Sequence, residues 1–208
     1  NMEKFHSGGV LCKLVLILSI VSICFFGLNT VAAFQSGDGS QQDPYQISDC
    51  LELQEIKNNL NANYILINNI DCLETLYWND GNGFQPIDLK FGGSVDGQGF
   101  VVSNLYINRP NEADVSLFGQ VRGIVSNIAV EDSEIYGKLF VGGLVGRLKN
   151  KGIINNTYVS NTFVMGYNQN VGGLVGYLDP KSQGGLYYSY ASADVSCSGS
   201  MCHAIGGL

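Results

Sequence analysis

Cations and proline are scarce in this sequence of 208 residues. Lys and Arg number 11 against 18 Asp and Glu, a formal net charge of −7, and there are 4 Pro. The shortage of positive charge argues against nucleic acid as a partner, because neutralising phosphates takes clustered Lys and Arg. No His-Glu-x-x-His occurs, so zinc-protease chemistry has no motif in this chain. The cysteines lack a zinc-site spacing, with His203 alone beside them. Glycine is abundant, at 27 residues, yet no Gly-Lys-Ser/Thr follows any glycine run, which removes the phosphate-cradling loop. With 45% hydrophobic and 14% charged residues, the composition fits neither a disordered tail nor a transmembrane bundle.

The one long apolar run is N-terminal. Leu14 to Phe26 is unbroken apolar and serine sequence behind Lys4 and Lys13, and Val31-Ala32-Ala33 offers small residues before Phe34. This order predicts a secretory signal over residues 1–33. The competing reading is an uncleaved anchor from Leu14 to Ala33, since about twenty apolar residues span a bilayer. Cys24, preceded by Val-Ser-Ile, has a poor lipidation box. Beyond residue 33 the balance is nine Lys and Arg against seventeen Asp and Glu, an acidic and solubilising surface for an exported chain. Four cysteines remain there: Cys50, Cys72, Cys197 and Cys202. An even count in an exported chain favours disulfides, and the spacing suggests two local pairs, Cys50 with Cys72 and Cys197 with Cys202, among three possible connectivities.

A repeat governs the rest. Val141-Gly142-Gly143-Leu144-Val145-Gly146 recurs unchanged as Val171-Gly172-Gly173-Leu174-Val175-Gly176. A third copy begins at Ile205-Gly206-Gly207-Leu208, and Val115-Ser116-Leu117-Phe118-Gly119 is an earlier, bulkier variant. Copies about thirty residues apart mark a solenoid or similar array. Strand-like tetrapeptides precede each copy: Asn104-Leu105-Tyr106-Ile107, Asn127-Ile128-Ala129-Val130, Asn156-Thr157-Tyr158-Val159 and Ser189-Tyr190-Ala191-Ser192, at spacings of 23, 29 and 33 residues. The spacing grows between the hexapeptide and the next strand, as expected at a solenoid edge where a turn lengthens without disturbing the stack. Coils of this length, strand-rich and without an internal helix, predict a parallel β-helix, an all-β fold.

Four segments are expected: the signal (1–33), a polar linker (34–43), an N-terminal cap of helix and strands (44–90), and solenoid repeats (91–208). In the cap, Pro44 to Ile47 reads as a short strand. Asp49 and Glu52 fit an N-cap and capping-box partner for an amphipathic helix over about 50–60, with Leu53, Ile56 and Leu60 on one face. Tyr64 to Ile70 reads as one strand. A Cys50–Cys72 bridge would pin the helix start to the end of that strand. Asn104, Asn127 and Asn156, taken as one repeat position, are expected to stack coil over coil as an amide ladder, with Ser189 departing from it. In the hexapeptides, Gly142, Gly143, Gly146, Gly172, Gly173 and Gly176 are expected to permit tight bends and close approach. At least one of each pair Leu144/Val145 and Leu174/Val175 should enter the core.

Binding and catalytic candidates are fewer. Asp71, Asp80, Asn82 and Asp88 carry oxygen ligands, but without EF-hand spacing they read as turn residues and no metal site is assigned. Asp96 in Val-Asp-Gly-Gln-Gly and the cluster Glu131, Asp132, Glu134 offer carboxylates for a polysaccharide lyase or glycoside hydrolase. The glycines after Asp96 explain it as a turn, and Glu131-Asp132-Ser133-Glu134 reads as a solvated loop, so no catalytic residue is assigned. Tyr158, Tyr167, Tyr177, Tyr187, Tyr188 and Tyr190 would suit a glycan or protein surface, but strands favour tyrosine anyway and structural use is the simpler reading. Asn155-Asn156-Thr157 is a sequon, relevant in a secretory host.

At Gly143-Leu144-Val145-Gly146 and Gly173-Leu174-Val175-Gly176 the chain resembles the GLUG-motif family, and the likeness extends upstream through Tyr64 to Cys72, Phe84 to Ile87 and Phe91 to Leu105. The resemblance implies a β-helical extracellular region of large bacterial or archaeal surface proteins, including adhesin-like chains and the non-catalytic part of some immunoglobulin-cleaving metallopeptidases. It brings no catalytic residue and no cofactor. With Asn1 before the first methionine and the last repeat cut short, a fragment is expected. The expected role is a secreted or cell-surface adhesin-like or stalk module facing a glycan or a neighbouring cell's protein. Contact with a membrane is expected only through the signal or an anchor elsewhere.

Overall fold

The computed structural model describes residues 34–87, 90–199, 202 and 205–206. The expected signal segment, Asp88, His203 and the last two residues of the third hexapeptide lie outside the described residues. Strand β1 (Tyr45–Ile47) is followed by helix α1 (Cys50–Glu55) with a 3-10 turn at Ile56–Asn58, then by β2 (Asn63–Leu66) and β3 (Ile70–Asp71). The next coil carries β4 (Ser94–Asp96), β5 (Val101–Ser103), β6 (Tyr106–Val115) and β7 (Phe118–Val121). After it come β8 (Ile124–Ser126), β9 (Ala129–Glu131), β10 (Glu134–Gly142) and β11 (Val145–Leu148). A further coil holds β12 (Ile153–Asn155), β13 (Tyr158–Gly166), β14 (Val171–Gly172) and β15 (Val175–Leu178), and the last holds β16 (Gly185–Tyr187), β17 (Tyr190–Cys197) and β18 (Ile205–Gly206).

Like strands of successive coils pair in parallel. One sheet runs β1-β2-β4-β8-β12-β16, a second is built from β3, β5, β6, β9, β10, β13, β14, β17 and β18, and a third runs β15-β11-β7. The fold is thus the expected all-β parallel solenoid, of about five coils, with one short helix. In the first sheet β4, β8 and β12 each bury their one central residue, which fixes register. Val95 pairs with Val125, Val125 with Ile154, and Ile154 with Leu186, so the coils are thirty, twenty-nine and thirty-two residues long. The 23-residue spacing read from sequence is therefore corrected: it compared two different bends of the coil. Lengthening does collect between the third sheet and the first, where residues 122–123, 149–152 and 179–184 form the turns.

The N-terminal end is closed by local chemistry. Asp49 accepts the N–H of Glu52 (2.8 Å), but Glu52 reaches back to Ser48, accepting from its N–H (2.7 Å) and hydroxyl (2.9 Å), one residue earlier than in the expected box. Leu53 and Ile56 of this turn join the buried cluster of the coils. Gln54 exchanges two 2.8 Å hydrogen bonds with the backbone of Gln85, which ties the helix to the coil beneath it. The expected single strand from Tyr64 to Ile70 is two strands in two sheets, because the chain turns a corner at residues 67–69. There Asn68 donates to the Ser48 carbonyl (2.8 Å) and Asn69 accepts from the Val101 N–H (3.0 Å). The polar stretch 34–43 folds back on this end: Phe34 stacks on Tyr45 at 4.5 Å and meets Tyr64 edge-on at 5.4 Å.

Candidate functional site: bends, ladders and outward faces

Each coil must turn several corners, and left-handed residues do it. Asn127 (φ 52), Asn156 (φ 52) and Tyr188 (φ 47) occupy one column, leading from the first sheet into the second. Asn104 (φ 56), Asp132 (φ 51) and Asn161 (φ 46) form a second column, midway along the second sheet. Asp114 (φ 60), Phe140 (φ 55) and Asn170 (φ 63) form a third, just before the hexapeptide. Asn and Asp tolerate this backbone region better than other side chains, which explains their recurrence.

The amide ladder exists, but divided. Asn156 donates to Asn127 Oδ1 (2.8 Å), and Asn127 donates to Asp96 Oδ1 (2.9 Å). Asn104 does not belong there. It donates to Asp71 Oδ1 (2.9 Å), and in the same column Asn161 donates to Asp132. The last equivalence also moves by one residue: Tyr190 pairs with Tyr158, which places Tyr188, not Ser189, beneath Asn156. Ser189 instead bonds the hydroxyl of Thr157 (3.0 Å) and takes its N–H (3.1 Å).

The hexapeptides are in register, Val141 with Val171 and Gly142 with Gly172, and Val171 in turn with Ile205. Leu144, Val145 and Leu174 are fully buried and Val175 nearly so, so both members of each pair enter the core. The close approach is steric: a Cβ on Gly143 would lie 2.3 Å from the Gly173 carbonyl oxygen, and one on Gly142 would lie 2.1 Å from that of Val145. In the bulkier copy Val115 and Phe118 align with Val141 and Val145, so that bend is one residue shorter. A second glycine column escaped the sequence reading. Gly93, Gly123, Gly152 and Gly184 precede the first sheet in successive coils, and a Cβ on Gly123 or Gly184 would come within 2.0 or 1.8 Å of the carbonyl of the glycine above.

The carboxylates weighed for catalysis are all engaged. Asp96 binds Asn127 and the Gln98 N–H (2.9 Å) through Oδ1 and the Gln98 amide (2.9 Å) through Oδ2. Glu131 accepts from Tyr158 (2.8 Å) and Ser160 (3.2 Å), and Glu134 accepts from Tyr136 (2.8 Å). Glu131 to Glu134 is a bend between two strands, not a free loop, and Ser133 at its centre is buried. Desolvation and then the Glu134 hydrogen bond push Tyr136 up to about 12, and the Glu131 hydrogen bond followed by desolvation does the same to Tyr158. Of the residues weighed for calcium, Asp71 accepts the N–H of Leu73 (3.0 Å) besides Asn104, and Asp80 sits in a 3-10 turn with φ 55. No cluster of three or more metal-ligating side chains occurs among the described residues.

Both expected disulfides are formed, with Cα separations of 5.3 Å for Cys50–Cys72 and 5.9 Å for Cys197–Cys202. The outer surface carries aromatic rows. Tyr106, Tyr136 and Phe163 contact in sequence at 6.2 and 5.7 Å, Tyr158 stacks on Tyr190 at 5.2 Å, and Tyr188 is 88% exposed. Arg147 pairs with the buried Asp114 and lies over the Phe140 ring at 4.5 Å, with Tyr177 beyond.

No protein-family profile matches the chain. It is 35% identical over 159 residues to halomucin of Haloquadratum walsbyi, covering 70% of this chain and 2% of halomucin. It is 29% identical over 171 residues to a protein of Evansella cellulosilytica named for a Gly-rich membrane protein, covering 76% of this chain and 19% of that one. The chain therefore spans a small part of these curated relatives. Among solved structures it is similar to an immunoglobulin A1 protease-like protein from Bacteroides ovatus, with a TM-score of 0.47, 15% identity, and coverage of 83% of this chain and 86% of that one.

Proposed function

We propose that residues 34–208 are a GLUG-type β-solenoid module of an exported surface protein, a non-catalytic stalk that presents its outer faces for adhesion. The observation that carries this reading is the stack itself. Repeated bends and ladders spend the conspicuous Asn, Asp and Gly on holding coil to coil, and they leave rows of aromatic and polar side chains on the outside. Two disulfides suit an oxidising compartment. The two relatives are much longer chains, one named a Gly-rich membrane protein, which suits a module repeated or embedded at a cell surface. In this reading residues 1–33 direct export, and the partner is a glycan or a neighbouring cell's protein. The carboxylates of the lyase or hydrolase alternative are tied into ladders and tyrosine hydrogen bonds, which favours structure over turnover.

Protease accessibility on intact cells, with the purified chain applied to a glycan and surface-protein panel, tests the proposal. Cleavage of the chain in intact cells and binding within the panel are expected. Protection in intact cells, or loss of an acidic-polysaccharide cleaving activity in Asp96→Ala, would overturn it.

A further inference from the structure

Although the chain is acidic overall, its cations are not spread evenly. Of the nine Lys and Arg beyond residue 33, five lie at the corner between the third and first sheets, Lys90, Arg122, Lys149, Lys151 and Lys181, and Arg147 lies in β11 just before it. The register shows why they align. Phe91 bridges Val121, Val121 pairs with Leu148 and Leu148 with Leu178, so the residues flanking these four form one edge parallel to the solenoid axis. The turns that carry them are fixed by hydrogen bonds from coil to coil. Lys149 donates its N–H to Val121 (2.9 Å), Asp179 to Leu148 (3.0 Å), and Gly185 to Gly152 (3.0 Å). The carboxylates gather elsewhere: Asp71, Glu131, Asp132, Glu134 and Asp194 belong to the second sheet and its bend, across the section from this corner.

Arg147 is neutralised by Asp114. Lys90, Arg122, Lys149, Lys151 and Lys181 form no salt bridge among the described residues. Asp179 shares this edge, and its Oδ1 accepts the Lys181 N–H (3.0 Å); Asp88, next to it in sequence, lies outside the described residues. Arg122 donates from Nη2 to Gln120 (3.1 Å), while its Nε is buried without a partner. Arg122 and Lys149, each next to a paired residue of coils stacked about 4.8 Å apart, are like charges that repel one another, and Asp179 follows them in the same column. A linear polyanion laid along the edge would reverse that sign.

We propose that this edge binds an acidic polysaccharide, with uronate carboxylates or sulfates set along the solenoid axis against Lys90, Arg122, Lys149, Lys151 and Lys181. The proposal rests on the surface-module reading and gives it a ligand class. A polysaccharide is favoured over single-stranded nucleic acid because turns 122–123, 149–152 and 179–184 contain no aromatic residue on which a base could stack. A dense phosphate lattice would also meet the acidic faces of the same chain.

The test is binding of dextran sulfate and polygalacturonate to the purified chain, with neutral dextran and duplex DNA as comparisons. The variants are Lys149→Glu/Lys151→Glu/Lys181→Glu on the edge and Lys57→Glu/Lys138→Glu away from it, each checked for an unchanged melting profile. The edge variant should lose about tenfold or more in affinity for both acidic polymers, the off-edge variant much less, and wild-type binding should fall steeply with salt. Equal losses in both variants, no binding of either acidic polymer, or DNA bound as tightly as the polysaccharides would overturn the proposal. Neutral-glycan binding untouched by the edge variant would overturn it too, while leaving the surface-module reading intact. That reading fails separately, on cell-surface accessibility.

Discussion

Among the described residues, the early coils bury large rings inside the stack and the later coils bury none. Tyr64, Phe84, Phe91 and Phe118 are fully buried, and a chain of ring contacts runs from Tyr45 through Tyr64 and Phe91 to Phe118 at 5.7, 6.5 and 5.5 Å. At the position of Phe118 the following coils place Val145 and Val175, and at that of Phe91 they place Val121, Leu148 and Leu178. From there on, Tyr167, Tyr187, Tyr188 and Tyr190 are exposed. The two regions use different physics for one architecture. Early coils fill their section with aromatic volume; later coils use aliphatic side chains and bring backbones together at glycine. That change frees aromatic and charged residues for display.

Removing interior volume should separate the two regions most sharply. Phe118→Ala is expected to cost about 3–5 kcal/mol by chemical denaturation, whereas Tyr136→Ala, on the outer row, should cost about 1 kcal/mol or less. Equal costs would erase the distinction. The disulfides should rank the same way: opening Cys50–Cys72, which closes 22 residues at the aromatic end, should cost about 3 kcal/mol, and opening Cys197–Cys202, which closes 5, about 2 kcal/mol. In the later coils the vulnerable point is backbone approach. Gly143→Val should lower stability by about 1–3 kcal/mol, and an unchanged melting temperature would contradict the contact with the Gly173 carbonyl.

Two smaller effects probe the outer surface. Tyr136 and Tyr158 are raised from 10.0 to about 12, so the folded state holds their protons more tightly than the unfolded chain does. Their contribution is complete below pH 10 and is lost as pH rises through about 12. Absorbance titration should show late-ionising tyrosines, of which Tyr136 and Tyr158 move earlier in Glu131→Gln/Glu134→Gln while Tyr64, raised by burial, does not. Tyr188, held at φ 47 where earlier coils have asparagine, should give a gain of about 1 kcal/mol when replaced by Asn.

Much of this was visible in the residues. The exact hexapeptide repeat revealed the solenoid and its core positions, and the lengthening turns pointed to one corner. Column assignment was not visible, because several bends of one coil call on the same residue type. Asn104 and Asn127 both supply a left-handed bend, and only pairing shows that they serve different columns. Tyr188 was hidden for the opposite reason: an aromatic residue stands at a left-handed position that its neighbours fill with asparagine. The glycine column of Gly93, Gly123, Gly152 and Gly184 reads as loop until the coils are stacked. The basic edge was equally hidden, because its cations are dispersed along the sequence and converge only through register.

That register is the central claim, and crosslinking tests it most directly. Asn127→Cys/Asn156→Cys places thiols one above the other in adjacent coils, whereas Asn104→Cys/Asn127→Cys places them in different columns. After mild oxidation, non-reducing peptide mapping should find the 127–156 bridge alongside both native disulfides, and no 104–127 bridge. A 104–127 bridge, or failure of the 127–156 pair to close, would contradict the stacking described.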